Sequence, residues 1–166
     1  MVRRTFDLLE RYKTLFPNKT DAFAGKQNGM WVKCSTHDYI EKSNFISYAL
    51  LALGFKVGDK IATVSNNRPE WNFVDMGMAQ VGVVHIPIYP TISTDDYTYI
   101  FHNAEPRMVF VSDKMLYEKL KPLVAPEFLK KGLEKSLPAR HHNMIPENEK
   151  AVEIGKSLLK PVIVLN

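Results

Sequence analysis

The amino-acid sequence predicts an α/β chain: an N-terminal helix and a β-hairpin, then alternating strand–helix units that form a mostly parallel sheet. Three observations carry that expectation. Apolar residues recur at helical spacing near the N-terminus. An Asn-Gly pair separates two β-rich runs. From Lys60 onward, short apolar runs alternate with helical patterns across brief polar connections. Such alternation requires right-handed crossovers and a sheet covered on both faces.

The elements follow in order. Phe6, Leu8, Leu9, Tyr12, Leu15 and Phe16 define a first helix over Thr5–Phe16, which Pro17 stops. The runs Asp21–Gly25 and Met30–Cys34 flank Asn28-Gly29, a pair that tolerates the positive φ of a tight hairpin turn. Ser35 or Thr36 caps a long helix running to about Leu53, with Asp38 and Glu41 favouring its positive end and Gly54 closing it. Tyr39, Ile40, Phe45, Ile46, Ala49, Leu50 and Leu53 form its expected core face.

Beyond that helix, Lys60–Ser65 reads as a strand and Asn66-Asn67-Arg68 as a polar turn. Pro69 then opens a helix that Gly82 ends, since proline suits the first helical position and glycine the position past the last. Val83–Ile88 reads as a second buried strand, Thr94–Asn103 as a helix capped by Ser93 or Thr94, Met108–Ser112 as a third strand, and Lys114–Leu120 as another helix. After Pro122 the texture changes. Helical patterns occupy Glu127–Ser136 and Glu147–Leu159, Ala139–Met144 has no period, and Val162–Leu165 reads as one more strand.

Composition narrows the function classes. No run of roughly 18 apolar residues occurs, so no membrane span is expected. Charges stand beside the first apolar residues, as in Arg3-Arg4 and Asp7, which leaves no room for a signal-peptide centre. A lone Cys34 suits a reducing compartment, and a cytoplasmic location is expected. Residues 1–113 carry 12 Lys/Arg and 12 Asp/Glu, so the net charge of +4 resides in residues 114–166, with 10 against 6. Those lysines are interspersed with acids and lack interleaved aromatics, so no nucleic-acid partner is expected, while peripheral contact with anionic lipid stays open.

The most informative stretch begins at Val57-Gly58-Asp59-Lys60-Ile61-Ala62. It continues through Asn66-Asn67-Arg68-Pro69-Glu70-Trp71 into Gly82-Val83-Val84-His85-Ile86-Pro87-Ile88-Tyr89-Pro90-Thr91-Ile92-Ser93. Taken alone it is strand, turn, helix and strand. As an ordered succession it resembles the N-terminal region of AMP-forming acyl-CoA synthetases, particularly long-chain fatty-acid CoA ligases. Upstream, Trp31, Tyr39 and Leu50-Leu51-Ala52-Leu53-Gly54 also fit in order, so the likeness covers roughly residues 5–122.

The resemblance implies residues 1–122 as the N-terminal portion of an AMP-binding synthetase domain, itself incomplete, and residues 123–166 as an unassigned helical tail. It implies a two-step ligase reaction. A carboxylate attacks the α-phosphorus of ATP and releases pyrophosphate, and CoA then displaces AMP from the acyl-adenylate. Such chemistry needs donors for phosphate oxygens, Mg²⁺ and a cation near developing charge. The family supplies them with a Ser/Thr/Gly-rich phosphate loop, Tyr-Gly-x-Thr-Glu, Tyr-x-Thr-Gly-Asp and a C-terminal Lys. None of these motifs occurs in the 166 residues. No catalytic, cofactor-binding or metal-binding residue is therefore assigned, and no cofactor is expected for this chain alone. ATP, Mg²⁺ and CoA belong to the full-length family. The expected partners are the remainder of a synthetase, or a second copy through an unpaired sheet edge.

The remaining candidates have ordinary readings. Thr91-Ile92-Ser93-Thr94 lacks the glycine a phosphate cradle needs. Gly155-Lys156-Ser157 lacks the P-loop glycine five positions earlier, where Lys150 stands. His141-His142 are adjacent and so diverge, and Cys34 completes no metal-ligand spacing with them. His85 is expected to be hydrogen-bonded within the sheet, and His102 to complement a helix C-terminus. Asp95-Asp96 suit a first helical turn without a metal. Arg68 and Glu70 are expected to stabilise the turn, as an ion pair shaping a later active site at most.

Overall fold

In the computed structural model, which describes residues 2–123 and the backbone of residues 162–164, each strand and helix expected between Thr5 and Leu120 is present. Helix α1 spans Asp7–Leu15. Strands β1 (Phe23–Gln27) and β2 (Met30–Cys34) pair antiparallel, with Gln27 opposite Met30 closing the hairpin. The two-residue turn has Asn28 at φ 49° and Gly29 at φ 83°. Both are left-handed, as a turn that matches strand twist requires.

Helix α2 spans Thr36–Ala52 and starts in a reciprocal capping box: the Asp38 N–H donates to Ser35 Oγ while the Ser35 N–H donates to the Asp38 carboxylate. It stops where Gly54 turns to φ 77°, and the N–H groups of Gly54 and Phe55 return to the carbonyls of Leu51 and Leu50. Tyr39, Ile46, Ala49 and Leu50 are buried as expected, whereas Ile40, Phe45 and Leu53 are half-buried. The face is completed by Ser43 and Ser47, whose hydroxyls donate to the carbonyls of Tyr39 and Asn44. Small residues are needed there because α3 (Pro69–Val81) comes close: a Cβ at Gly77 would lie 2.5 Å from Ile46 Cγ2.

The sheet contains β3 (Lys60–Val64), β4 (Val84–Ile88), β5 (Met108–Val111) and β6 (Val162–Val164), in the order β4-β3-β5-β6. β3 is parallel to both β4 and β5, and β6 runs antiparallel to β5, so the sheet is mostly parallel as predicted. Ile61, Met108 and Phe110 pack under α2 and α3. Ala62, Val64, Val109 and Val111 face the other way, towards α4 (Thr94–Ala104) and α5 (Lys114–Leu120). This alternation is the period-two consequence of strand geometry, and it makes three layers. A third cluster, Leu9, Cys34, Tyr39, Phe73 and Met76, joins α1 and the hairpin to α2 and α3.

One expectation is corrected. The strand at Val83–Ile88 is predicted to be buried, but among the described strands β4 is at an edge of the sheet, with Val84 and Pro87 exposed. Pro87 supplies no N–H to a ladder, and an edge is where a strand tolerates that loss. The predicted helices Glu127–Ser136 and Glu147–Leu159 lie outside the described residues, as do His141-His142 and Gly155-Lys156-Ser157.

Candidate functional site

Parallel sheets gather their functional groups outside the carboxyl ends of the strands. Here those ends belong to β3 and β5, and the residues between β3 and α3 fill the space. Pro69 is the first residue of α3, and a residue preceding proline is driven towards extended backbone. Arg68 accordingly sits at φ −158°, ψ 153°. That conformation aims its side chain across the strand ends. Its Nε and Nη2 donate to the two Glu70 carboxylate oxygens at 2.9 and 3.0 Å, and its Nη1 donates to the backbone carbonyl of Ser112 at 2.8 Å.

Ser112 is the second half of the fastening. Its hydroxyl accepts from the Asn66 N–H at 3.3 Å and donates to Asp113, whose other carboxylate oxygen caps α5 through the Leu116 N–H. The end of β3, the start of α3, the end of β5 and the start of α5 are thus tied by three side chains, Arg68, Ser112 and Asp113. The hydrogen bonds from Arg68 hold the Glu70 carboxyl below its usual range against the opposing effect of burial, and the Glu70 carboxylate raises the Arg68 guanidinium in turn.

Beside this fastening an open cleft of about 450 Å³ runs between the hairpin and α3, bounded by Phe23, Ser65, Asn67, Arg68, Trp71 and Asn72. The hairpin reaches it because Gly25 has no side chain; a Cβ there would lie 2.8 Å from Pro69 Cδ.

Trp71 links the cleft to a second cluster under α3. Its ring stands 5.1 Å from that of His85. His85 Nδ1 lies 2.7 Å from Asp75 Oδ1, and its Nε2 lies 2.7 Å from Thr63 Oγ1. A neutral imidazole with its proton on Nδ1 satisfies both contacts: it donates to Asp75 and accepts from the Thr63 hydroxyl. Thr63 is only 2% exposed, so its hydroxyl is committed to the ring rather than offered to a substrate. His85 is therefore the hydrogen-bonded sheet histidine that was expected. Thr63, Asp75 and Ser112 were not singled out in the sequence. Only the strand register, with Ile61 opposite His85, would have placed Thr63 beside it.

The other candidates are dispersed. Ser93 caps α4 in a box with Asp96, Lys119 Nζ donates to the Ile92 carbonyl, and Asp95 is exposed, so Thr91–Thr94 serves as a helix start rather than a phosphate cradle. His102 is exposed in the last turn of α4. Cys34 is buried, and that burial pushes its thiol up, away from the thiolate a nucleophile needs. Among the described residues, no three His, Cys, Asp or Glu side chains are grouped to hold a metal ion, and no helix is long and apolar enough to cross a membrane. What the described residues assemble is a set of fasteners at strand ends.

Comparison with known proteins gives this scaffold its context. A family model described as AMP-binding enzyme matches residues 9–159. The long-chain-fatty-acid–CoA ligase FadD15 of Mycobacterium bovis is 26% identical over 83 residues, half of this chain and 14% of that enzyme. Long-chain-fatty-acid–CoA ligase 1 of Homo sapiens is 37% identical over 73 residues, 43% of this chain and 10% of that enzyme. The chain thus matches only about a seventh or less of the length of these relatives. Among solved structures, the N-terminal domain of FACL13 from Mycobacterium tuberculosis aligns with a TM-score of 0.61 at 18% identity, covering 78% of this chain and 30% of that one. The fatty acid AMP ligase from Legionella pneumophila aligns at 0.60 and 19% identity, covering 67% and 20%. At those identities the structures establish a shared fold. With the family match running from residue 9 to residue 159, the chain belongs to the AMP-binding enzyme family, in which it resembles the N-terminal portion of acyl-CoA ligases.

Proposed function

We infer that this chain forms the opening scaffold of an AMP-forming long-chain fatty-acid–CoA ligase and does not catalyse adenylation by itself. The observation that carries the reading is the Val57–Ser93 succession. It folds as strand, Arg-Pro turn, helix and strand within a chain matched to the family over residues 9–159. In the complete reaction a carboxylate oxygen bonds to the α-phosphorus of ATP and pyrophosphate leaves. The CoA sulfur then bonds to the acyl carbon and AMP leaves.

The phosphate loop, the Tyr-Gly-x-Thr-Glu motif, the ribose-binding Asp motif and the C-terminal Lys region are not found in these 166 residues. ATP, Mg²⁺ and CoA would therefore be held mainly by other parts of a ligase. The contribution of this part is to fix the strand ends through Arg68, Glu70 and Ser112. A cytoplasmic setting accompanies the reading, because ATP and CoA are the co-substrates. The test is ATP–pyrophosphate exchange with palmitate on the purified chain: no exchange is expected, and clear turnover overturns the reading.

A second reading treats the chain as a non-catalytic assembly module derived from the same fold. Two observations favour it. β4 is an edge strand, a natural site for pairing with a second copy or with the rest of a ligase. An uncharacterized protein of Mycobacterium tuberculosis, Rv1549, is 29% identical over 85 residues that make up 46% of its length, so a much shorter relative shares this segment. Light scattering discriminates the readings: a concentration-independent monomer counts against assembly through β4.

A further inference from the structure

The hairpin carries apolar surface that the fold does not use. β1 and β2 each have an inner row ending in the core, where Phe23 and Cys34 join the α1–α2–α3 cluster. Towards the turn that support ends, and Met30 and Trp31 are 71% and 69% exposed, with Val32 at 41%. Trp31 stands opposite Lys26, and Lys33 opposite Ala24, so these four residues share the outer face of the ribbon. Residues 23–34 contain these two lysines and no acid, and the preceding segment adds Lys19 with a single Asp21. Asp21 lies between Lys19, at 2.8 Å, and Lys33, at 3.5 Å, and so offsets one of these two charges, while Lys26 nearest the turn has no ion-pair partner among the described residues.

An exposed indole flanked by long cationic side chains matches one environment closely. At a membrane–water interface the ring sits at headgroup level and lysines extend their ammonium groups to phosphate. The tight Asn28-Gly29 turn narrows the tip, and nothing lies within 4 Å of where a Gly29 side chain would begin. We propose that the outer face of the β1–β2 tip, through Trp31, Lys26 and Lys33, is a docking surface for anionic lipid bilayers. The proposal is independent of the ligase reading, since it rests only on the hairpin.

The test uses the whole 166-residue chain in sedimentation with vesicles of phosphatidylcholine alone and with about 30% phosphatidylserine. Association with the anionic vesicles is expected, weakening with salt, together with quenching of tryptophan fluorescence by brominated lipid chains. Trp31→Ala should weaken partitioning roughly tenfold, and Lys26→Glu at least about fivefold. Tyr99→Ser, which removes an equally exposed ring on α4 (71%), should leave it unchanged. Because Trp31 and Lys26 are surface residues, circular dichroism should show both variants folded. Three results overturn the proposal: no association with anionic vesicles, association unchanged in Trp31→Ala and Lys26→Glu, or a dimer in light scattering that Trp31→Ala dissolves, which would assign the tip to a second copy instead.

Discussion

Arg68 Nη1 donates to the backbone carbonyl of Ser112 at 2.8 Å, joining residues 44 apart in sequence. The same guanidinium grips both oxygens of Glu70. One side chain therefore holds the start of α3 against the end of β5, and neither neighbour substitutes for it. Truncation at Arg68 removes three charge-assisted hydrogen bonds, but the group is 40% exposed and water replaces part of the loss. Arg68→Ala is expected to cost about 1–2 kcal/mol in urea denaturation. Arg68→Lys should recover less than half of that, since an ammonium cannot serve the carboxylate and the carbonyl in one planar fork.

Acid should loosen this region in a defined direction. The Glu70 carboxyl is held down by Arg68, and the Asp38 carboxyl is held down by the hydroxyl and backbone N–H of Ser35. A carboxyl depressed on folding contributes stability above its unfolded value, near about 4, and that contribution is lost as pH falls through the folded value. Urea midpoints measured from pH 7 to pH 2 should therefore fall on the acid side. Glu70→Gln and Asp38→Asn should lie below the parent at pH 7 and converge with it towards about pH 3.

The alkaline limit has a different origin. Burial pushes the Tyr39 hydroxyl up to about 12, within the cluster that ties the hairpin to α2 and α3. The unfolded phenol ionises near about 10, so the unfolded state gains first as pH rises. Stability present below that value should decline between about pH 10 and 12. Tyr39→Phe should flatten that decline in thermal melts.

Thr63 and His85 offer a test of a buried polar pair. Thr63→Val keeps the shape of the side chain but leaves His85 Nε2 without its hydroxyl partner, in a ring whose side chain is only 12% exposed. The expected loss is about 1–2 kcal/mol. Combined with His85→Ala, the effects should fall short of additivity by at least about 0.5 kcal/mol in a double-mutant cycle. Strict additivity would mean that the 2.7 Å contact carries no coupling.

Gly77 reverses a familiar rule. Glycine to alanine inside a helix ordinarily gains about 1 kcal/mol. Here the added methyl would meet Ile46 Cγ2 at 2.5 Å and the Ser43 carbonyl at 2.9 Å, and the carbonyl belongs to a rigid helix backbone. Overpacking of about 1–3 kcal/mol outweighs the propensity, so Gly77→Ala should be net destabilising by calorimetry. In an Ile46→Ala background its cost should shrink only in part, because the Cγ2 contact is gone while the residue-46 Cβ, at 2.6 Å, and the Ser43 carbonyl remain.

Much of the architecture was legible in local chemistry. Ser35 with Asp38, Asn28-Gly29, Pro69, Gly82 and Ser93 with Asp96 act within a few residues of themselves, through caps, turns and fixed φ, so their roles need no distant partner. The family was indicated not by the strand–helix alternation they delimit but by the ordered residues from Val57 to Ser93, whose succession resembles acyl-CoA synthetases. Relations between segments were not legible. That β4 is an edge strand follows from the order β4-β3-β5-β6, which no hydropathy pattern encodes. That Ser43, Ser47 and Gly77 form a core seam appears only when α2 and α3 meet at close range.

The sequence by itself determined which elements occur between Thr5 and Leu120 and in what order, with ends shifted by up to two residues (the first hairpin strand, expected at Asp21–Gly25, is Phe23–Gln27). It also determined that the ligase family's known catalytic motifs are not among these residues. Only the tertiary structure decided that Arg68 reaches Ser112, that His85 sits between Thr63 and Asp75, and that Trp31 faces outward. The reason is separation along the chain. A cap or a tight turn is satisfied by atoms within about four residues. A hydrogen bond across 44 residues exists only once strand order, register and helix packing have all been set.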